Sequence, residues 1–438
     1  MGNFYIVTAL NDYVIFGKNS TIAFCINFVI LDTMIIFQLS KRVVKEMQDL
    51  FCGKAAVGEN NKNIDTKKVE NKRLNEKNKD KLLAENEKLL REEYIDGMKG
   101  LACLFVLLGH FTGIYKYAEN FSAIDSWFMR MLTNGPLSFF SAESYWMQLF
   151  LVISGYLTIR YNPPKTCKAF LKKCVKRVFR LAIPIAGTAV FVLALQNTIG
   201  FYNFKIQNII QNTWITRLYG ITLTVTDVIK EPFEVLFMGI CKFNSPFWCL
   251  RDMLIAALLI YLVTWICKTI KMIGCALGML MLAAILMHRE VIVACLLGSA
   301  VGLLRSHTVI LKIPSVIAVC GIFAPIAAFF SHNLFVMDIG FAFYLMSVPF
   351  VSCVKKFWEK TVVKKIGSIS FGIYALHWPV TNSFGMGLIY GLSDALNPAV
   401  LMALSLAVIL IVTFLLAVLF KVTIERLTSI VCRNIAEI

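Results

Sequence analysis

From about residue 98 onward the chain is a succession of apolar runs, near 98–115, 143–159, 181–196, 247–267, 272–287, 291–304, 310–330, 334–352, 366–384 and 398–420. Apolar residues are 58% of the 438 positions and charged residues only 16%. A soluble domain cannot enclose that much apolar surface, so the excess must face lipid. The predicted fold is all-α, a polytopic membrane bundle of about ten transmembrane helices. Three runs are only 14–16 residues long, short of the roughly 20 a span needs, so they are either re-entrant or met by local thinning of the bilayer.

Ahead of the bundle, residues 21–39 are long enough for one accessory N-terminal helix, although Asp32 in its middle costs about 2.5–3.5 kcal/mol unless it faces other helices. Residues 41–93 are rich in Lys, Glu and Asn. There Leu82/Leu89 and Leu83/Leu90 repeat at seven residues, which suits a short amphipathic helix. The expected organisation is residues 1–40 as an N-terminal segment, 41–93 as a basic linker, 94–430 as the membrane domain and 431–438 as a tail. The start Met1–Tyr5 has no basic n-region, and no cleavable signal peptide is expected. The 13 cysteines lie mostly in apolar runs without CxxC or other metal-ligand spacing, so they read as small hydrophobes; a meeting of Cys241 and Cys249 on the outer side is the lesser alternative.

The net charge of +17 accumulates between the runs. Alternate connections, at 41–99, 160–180, 268–271, 305–312, 353–365 and 421–438, hold 35 of the 44 Lys and Arg residues. Such one-sided clustering puts those segments, including residues 41–93 and the C-terminus, in the cytoplasm. Orientation accounts for the basic residues, and no nucleic-acid partner is expected. No internal repeat is evident.

The segment YIDGMKGLACLFVLLGHF, Tyr94–Phe111, carries the sharpest signal. Lys99 and His110 are eleven residues apart, about three turns, so they share one helix face and stand roughly 16 Å apart along the axis. Asp96 falls within about 40° of the same line. An ionisable imidazole at that depth is a functional candidate, or else a hydrogen-bond partner for a neighbouring helix. Gly109 and Gly113 leave room for a ligand or a helix beside it. Lys99 reads either as a phosphate-holding cation or as an interfacial lysine reaching for water; Asp96 either orients Lys99 or complements the helix dipole. His288, His307 and His332 fall in short turns.

This opening helix resembles that of the acyltransferase-3 family of integral membrane acyltransferases, in which a basic residue precedes a histidine in the same way. Family members usually carry arginine where this chain has Lys99, a change that keeps charge and loses bidentate donation. Other stretches are similar in the same order: QLFLVISGYL (Gln148–Leu157) followed by a basic helix and RLAIP (Arg180–Pro184); SPFWCLRDMLI (Ser245–Ile255), where Asp252 fills an acidic place; and IGSISFGIYALHWPV (Ile366–Val380), with Tyr374 and His377. The tail KVTIERL (Lys421–Leu427) echoes a Glu-Arg-Pro ending with Leu427 in place of proline. The resemblance covers about residues 94–430.

The resemblance implies transfer of an acyl group, commonly acetyl, from cytoplasmic acyl-CoA as co-substrate to a hydroxyl of a cell-surface carbohydrate or lipid-linked acceptor, in a bacterial plasma membrane, with no bound cofactor or metal. Imidazole has the right pKa range to take a hydroxyl proton, so His110 is the candidate base or a transient acyl carrier. Lys99, with Lys172, Lys173, Lys176, Arg177 and Arg180, is the candidate CoA-binding set; the clustered cations suit phosphates or, equally, anionic membrane lipids. Arg251 and Asp252 either meet the acceptor or pair with each other. Tyr374 and His377 share a face and serve either the acceptor or a bond within the bundle. Trp378 and Pro379 are expected at the membrane interface and at a kink. The rival reading is a transporter or flippase for an acyl donor or lipid-linked sugar, but the paired broken helices of such proteins are not seen; a receptor or scaffold is favoured only by the basic extension. The chain runs about twenty residues past its last apolar run, so no esterase-like domain is expected to follow.

Overall fold

The computed structural model describes residues 92–116, 127–160, 163–210, 215, 219–220, 222–307 and 314–437. The accessory helix at 21–39 and the amphipathic stretch around Leu82–Leu90 lie outside the described residues. Among those described, the chain is helical and has no strand.

Among the described residues every apolar run of the bundle is mainly helix. The first, α1, spans Glu93–Lys116, with Glu93 and Asp96 in its first turn where the helix dipole favours negative charge. A short α2 (Trp127–Thr133) and a 3-10 turn (Ser138–Ser141) lead to α3 (Glu143–Arg160), which is largely buried. Next comes α4 (Cys167–Asn197), capped by the Thr166 side chain accepting from the Ala169 amide. Its 31 residues extend about 46 Å, more than the hydrocarbon core. The cationic stretch expected as a loop at 160–180 is therefore mostly the first turns of this helix.

The connection from α4 to α6 holds one amphipathic helix, α5 (Val225–Phe233), opened by a capping box between Thr224 and Asp227. Then follow α6 (Leu250–Ile266), α7 (Ile270–Leu286), α8 (Glu290–His307), α9 (Ser315–Phe329) and α10 (Leu334–Ser347). The chain bends by 101° after Phe350 into α11 (Ser352–Trp358) and continues through α12 (Thr361–Gly367) and α13 (Ser370–Val380) to α14 (Pro398–Phe420).

The expected count of ten membrane-crossing helices is not reproduced. Among the described residues four helices are long and apolar enough to cross, Glu93–Tyr115, Cys167–Asn197, Ser245–Ile266 and Pro398–Ile435, with α10–α11 a fifth if that bent pair is one span. α7 and α9 are apolar but shorter. Pro314 starts α9 late, and the break between Gly367 and Ser370 divides the run at 366–384.

α1 is the central helix: 61% of its apolar window is buried inside the protein, against 28% for Pro398–Ile435. Small residues set its register. A Cβ on Gly100 would stand 2.5 Å from the Gly367 amide nitrogen, and one on Gly97 would strike the Trp358 carbonyl. With no side chain in the way, α1 lies backbone to backbone against α11 and α12. Gly155 against Cys295 and Gly298 against Val152 bring α3 and α8 together in the same way.

At the basic end of the bundle an ion knot ties these helices. Arg305 donates to Tyr94 (2.5 Å) and Tyr156 (2.9 Å) and pairs with Glu92 (3.0 Å). Cys241 and Cys249 both carry free thiols. Cys103 and Cys295 are buried as expected of small hydrophobes, whereas Cys275 and Cys320 are exposed on the outside of the bundle. His288 and His332 are exposed at turns, both with left-handed backbone (φ 53° and 51°), and His307 closes α8.

Candidate active site

Register carries His110 to His377. Gly367 packs at Asp96 and Gly100, and ten residues further along each helix, about 15 Å at 1.5 Å per residue, α1 has reached His110 and the α12–α13 segment His377. The His110 Nδ1 and His377 Nε2 atoms are 3.0 Å apart, and the rings lie nearly parallel with centroids 5.1 Å apart. Trp378 packs on the other edge of His110 at 5.4 Å. His377 is fully buried, and His110 keeps part of its surface accessible. One turn beyond His110, a Cβ on Gly113 would meet nothing within 4 Å among the described residues, whereas one on Gly109 would strike Ser141 and Glu143. The imidazole thus has a closed side and an open side.

The hydrogen bonds decide where the protons sit. His377 Nδ1 lies 2.8 Å from the Tyr374 carbonyl and 3.1 Å from that of Ile373. Carbonyls only accept, so Nδ1 of His377 carries the proton and its Nε2, in the neutral ring, must accept. The proton in the 3.0 Å contact therefore belongs to His110 Nδ1. With Nδ1 donating, the lone pair of the neutral His110 ring is on Nε2. This is a tautomer set by geometry.

Pro379 has no N–H to give the Ala375 carbonyl four residues back. Asn244, buried at 0% exposure, supplies the missing donor at 2.9 Å. Tyr374 donates to the Pro246 carbonyl and touches the Cys249 sulfur at 3.4 Å. Tyr374 thus braces α13 against the Ser245–Cys249 turn. Trp378, expected at the interface, is instead 2% exposed beside His110.

At the basic end Lys99 pairs with Asp96 at 2.7 Å, so the aspartate orients the lysine. The face between Lys99 and His110 is closed by Cys103 and Val106, each 2% exposed. The half-buried Glu425 carboxylate interacts electrostatically with Lys421, Lys99 and Arg180. Two of the expected phosphate-binding cations, from α1 and α4, thus lie within electrostatic range of one acid in the KVTIERL tail motif. Arg177 turns inward from α4 and donates to Ser154 at 2.9 Å. Lys173 lies over the Tyr261 ring at 5.6 Å, the Lys176 carbonyl faces the Cys432 sulfur at 3.6 Å, and Lys172 is half-buried on the same helix. Arg251 bonds Asp252 (3.0 Å) and the Met238 carbonyl (3.3 Å), and Arg289 adds a second cation to Asp252 at 3.7 Å.

A family model described as an acyltransferase domain matches residues 92–421. No curated protein and no solved structure matches the chain.

Proposed function

The chain belongs to the acyltransferase-3 family, and from that premise we propose that it is a membrane O-acyltransferase. It moves an acetyl group from cytoplasmic acetyl-CoA to a hydroxyl of a cell-envelope carbohydrate or lipid-linked acceptor. The observation that carries this reading is the fixed tautomer of His110. A hydroxyl is a poor nucleophile until a base removes its proton, and a neutral imidazole presenting Nε2 is such a base. As the acceptor oxygen attacks the thioester carbon, Nε2 of His110 takes the hydroxyl proton. Collapse of the tetrahedral intermediate breaks the C–S bond, and the proton passes from the imidazolium to the departing CoA sulfur. His377 holds the ring and does not itself exchange protons with substrate.

Lys99, Arg177 and Arg180 are the cations we assign to the CoA phosphates, with Asp96 and Glu425 setting their positions. Lys99 and His110 stand roughly 16 Å apart along the helix, a separation of the order of a pantetheine arm, but Cys103 and Val106 close the α1 face between them, so the arm has no groove along that face. Lys172, Lys173 and Lys176 extend the same positive surface toward the aqueous end of α4. Arg251, Asp252 and Arg289 form the charged group we assign to acceptor entry at the opposite end. In this account residues 94–430 are the membrane acyltransferase domain of a bacterial plasma-membrane protein, the basic end faces the cytoplasm, and the short helices complete a ten-pass arrangement around α1.

Base-labile acetyl groups on envelope glycans test the reading in cells. They are expected to fall on deletion and to return with the wild-type chain but not with His110→Ala at equal expression. Full restoration by His110→Ala would remove His110 from the chemistry.

A further inference from the structure

A cavity lies on the side of α1 away from the histidine pair, and we propose that it holds one acyl chain of an anionic phospholipid from the cytoplasmic leaflet. The cavity measures about 420 Å³ and is lined by Phe140, Trp146, Phe341, Tyr344, Phe357 and Trp358 among others, all apolar or aromatic. That volume is within the usual range for a small-molecule site. Its two prominent polar atoms satisfy each other, since Trp358 Nε1 donates to the Tyr344 hydroxyl at 2.7 Å. An occupant therefore needs to bring shape and apolar surface, not hydrogen bonds.

The site is separate from the histidine pair. Phe105 of α1 packs on Phe140 (5.1 Å) and Trp146 (4.4 Å). Phe105 and His110 are five residues apart, so they point about 140° away from each other around the helix.

The floor of the cavity says which lipid it takes. After its 101° bend the chain runs as α11, where Val354, Phe357 and Trp358 occupy one face and line the cavity. Lys355 and Lys356 occupy the other face, as in a helix lying flat at a membrane surface. Lys355 is paired with Glu359 at 3.7 Å. Lys356 and Lys360 are exposed, and Lys360 Nζ stands 5.6 Å from the ring centre of Phe357, a lining residue. Lys360 thus sets one cation beside an apolar slot, the complement of a phosphate joined to a hydrocarbon chain. α11 also bears on α1 through Trp358 against Gly97, and Lys364 bonds Glu93 at 2.5 Å. A lipid seated there braces the segment that carries Lys99. The proposal rests on the orientation given above and is independent of acyl transfer.

The test counts lipids retained by the full chain on release from mixed phosphatidylglycerol and phosphatidylcholine nanodiscs, by native mass spectrometry. Wild type is expected to retain phosphatidylglycerol with roughly five-fold preference, as one lysine near an anionic headgroup gives. The Lys360→Gln variant is expected to lose the preference. Ile326→Trp, which fills the cavity from its exposed rim on α9, is expected to lose both lipids while keeping wild-type acyl-CoA binding. Equal retention of the two lipids by wild type, or unchanged phosphatidylglycerol in Ile326→Trp, would overturn the proposal. Displacement of phosphatidylglycerol by a lipid-linked acceptor would overturn it too, by assigning the slot to substrate.

Discussion

Replacing His377 by phenylalanine isolates what the second histidine contributes. Phenylalanine keeps a ring in the place now stacked at 5.1 Å on His110 and removes the nitrogen that lies 3.0 Å from Nδ1. The helix loses little, because the other His377 nitrogen serves only carbonyls of its own turn. What disappears is one hydrogen bond between neutral groups, worth about 1–1.5 kcal/mol net, or close to a tenfold change in a rate that depends on it. Loss of the general base itself is worth about 10²–10⁴. His377→Phe should therefore lower kcat about tenfold and leave KM for acyl-CoA unchanged, since His377 is 0% exposed. His110→Ala should cost about 10²–10⁴, and adding His377→Phe to it should cost nothing further, because His377 acts through His110. The assay is steady-state release of CoA thiol by purified protein with acceptor present. A double variant slower than His110→Ala, or a His377→Phe loss as large as that of His110→Ala, would show that His377 reacts in its own right.

Three further outcomes follow from the packing and charge. Gly100→Val puts atoms 2.5 Å from the Gly367 nitrogen and 2.8 Å from its Cα; backbone cannot step aside, so thermal melting should show about 1–3 kcal/mol of lost stability. Lys99→Gln should raise KM for acyl-CoA about tenfold while Lys99→Arg keeps it near wild type, one charge-assisted hydrogen bond to phosphate being worth about 1.5–3 kcal/mol. Outside the membrane helices, burial pushes Glu231 up to about 7, against the lowering effect of the Phe243 and Lys242 amides it accepts from. The folded form then holds a proton that the unfolded chain gives up near pH 4.5, so this group's contribution to stability falls as pH rises from there to about 7. Melting temperature measured across that window should show the fall in wild type and lack it in Glu231→Gln.

The helical class and the pairing of Lys99 with His110 on one face were legible in sequence because both follow from period and hydropathy, which are local. The partner of His110 was not, because it depends on how far α1 slides along α12 and α13, and glycines at 97, 100 and 367 settle that. Tyr374–His377 spacing marked a shared face, yet the structure uses Tyr374 as a brace to Pro246 and His377 as the hydrogen-bond partner. Asn244 gave no signal at all: its task is the carbonyl that Pro379 orphans 131 residues away from it, at Ala375. Hydropathy registers an apolar run without seeing a Pro314 start or the turn between Gly367 and Ser370, so among the described residues fewer of its runs form one long helix. The cationic stretch read as a loop has no helix breaker after Pro164, and from Cys167 it is α4.

The central claim is that His110 converts a bound thioester and an acceptor hydroxyl into ester and free CoA. Purified full-length protein in nanodiscs, given radiolabelled acetyl-CoA with and without a carbohydrate acceptor, tests it most directly. The account predicts acceptor-dependent label transfer with stoichiometric CoA release, reduced to background by His110→Ala while acetyl-CoA still binds. Transfer at wild-type rate by His110→Ala, or acetyl-CoA bound by wild type and never consumed with any hydroxyl acceptor, would contradict it.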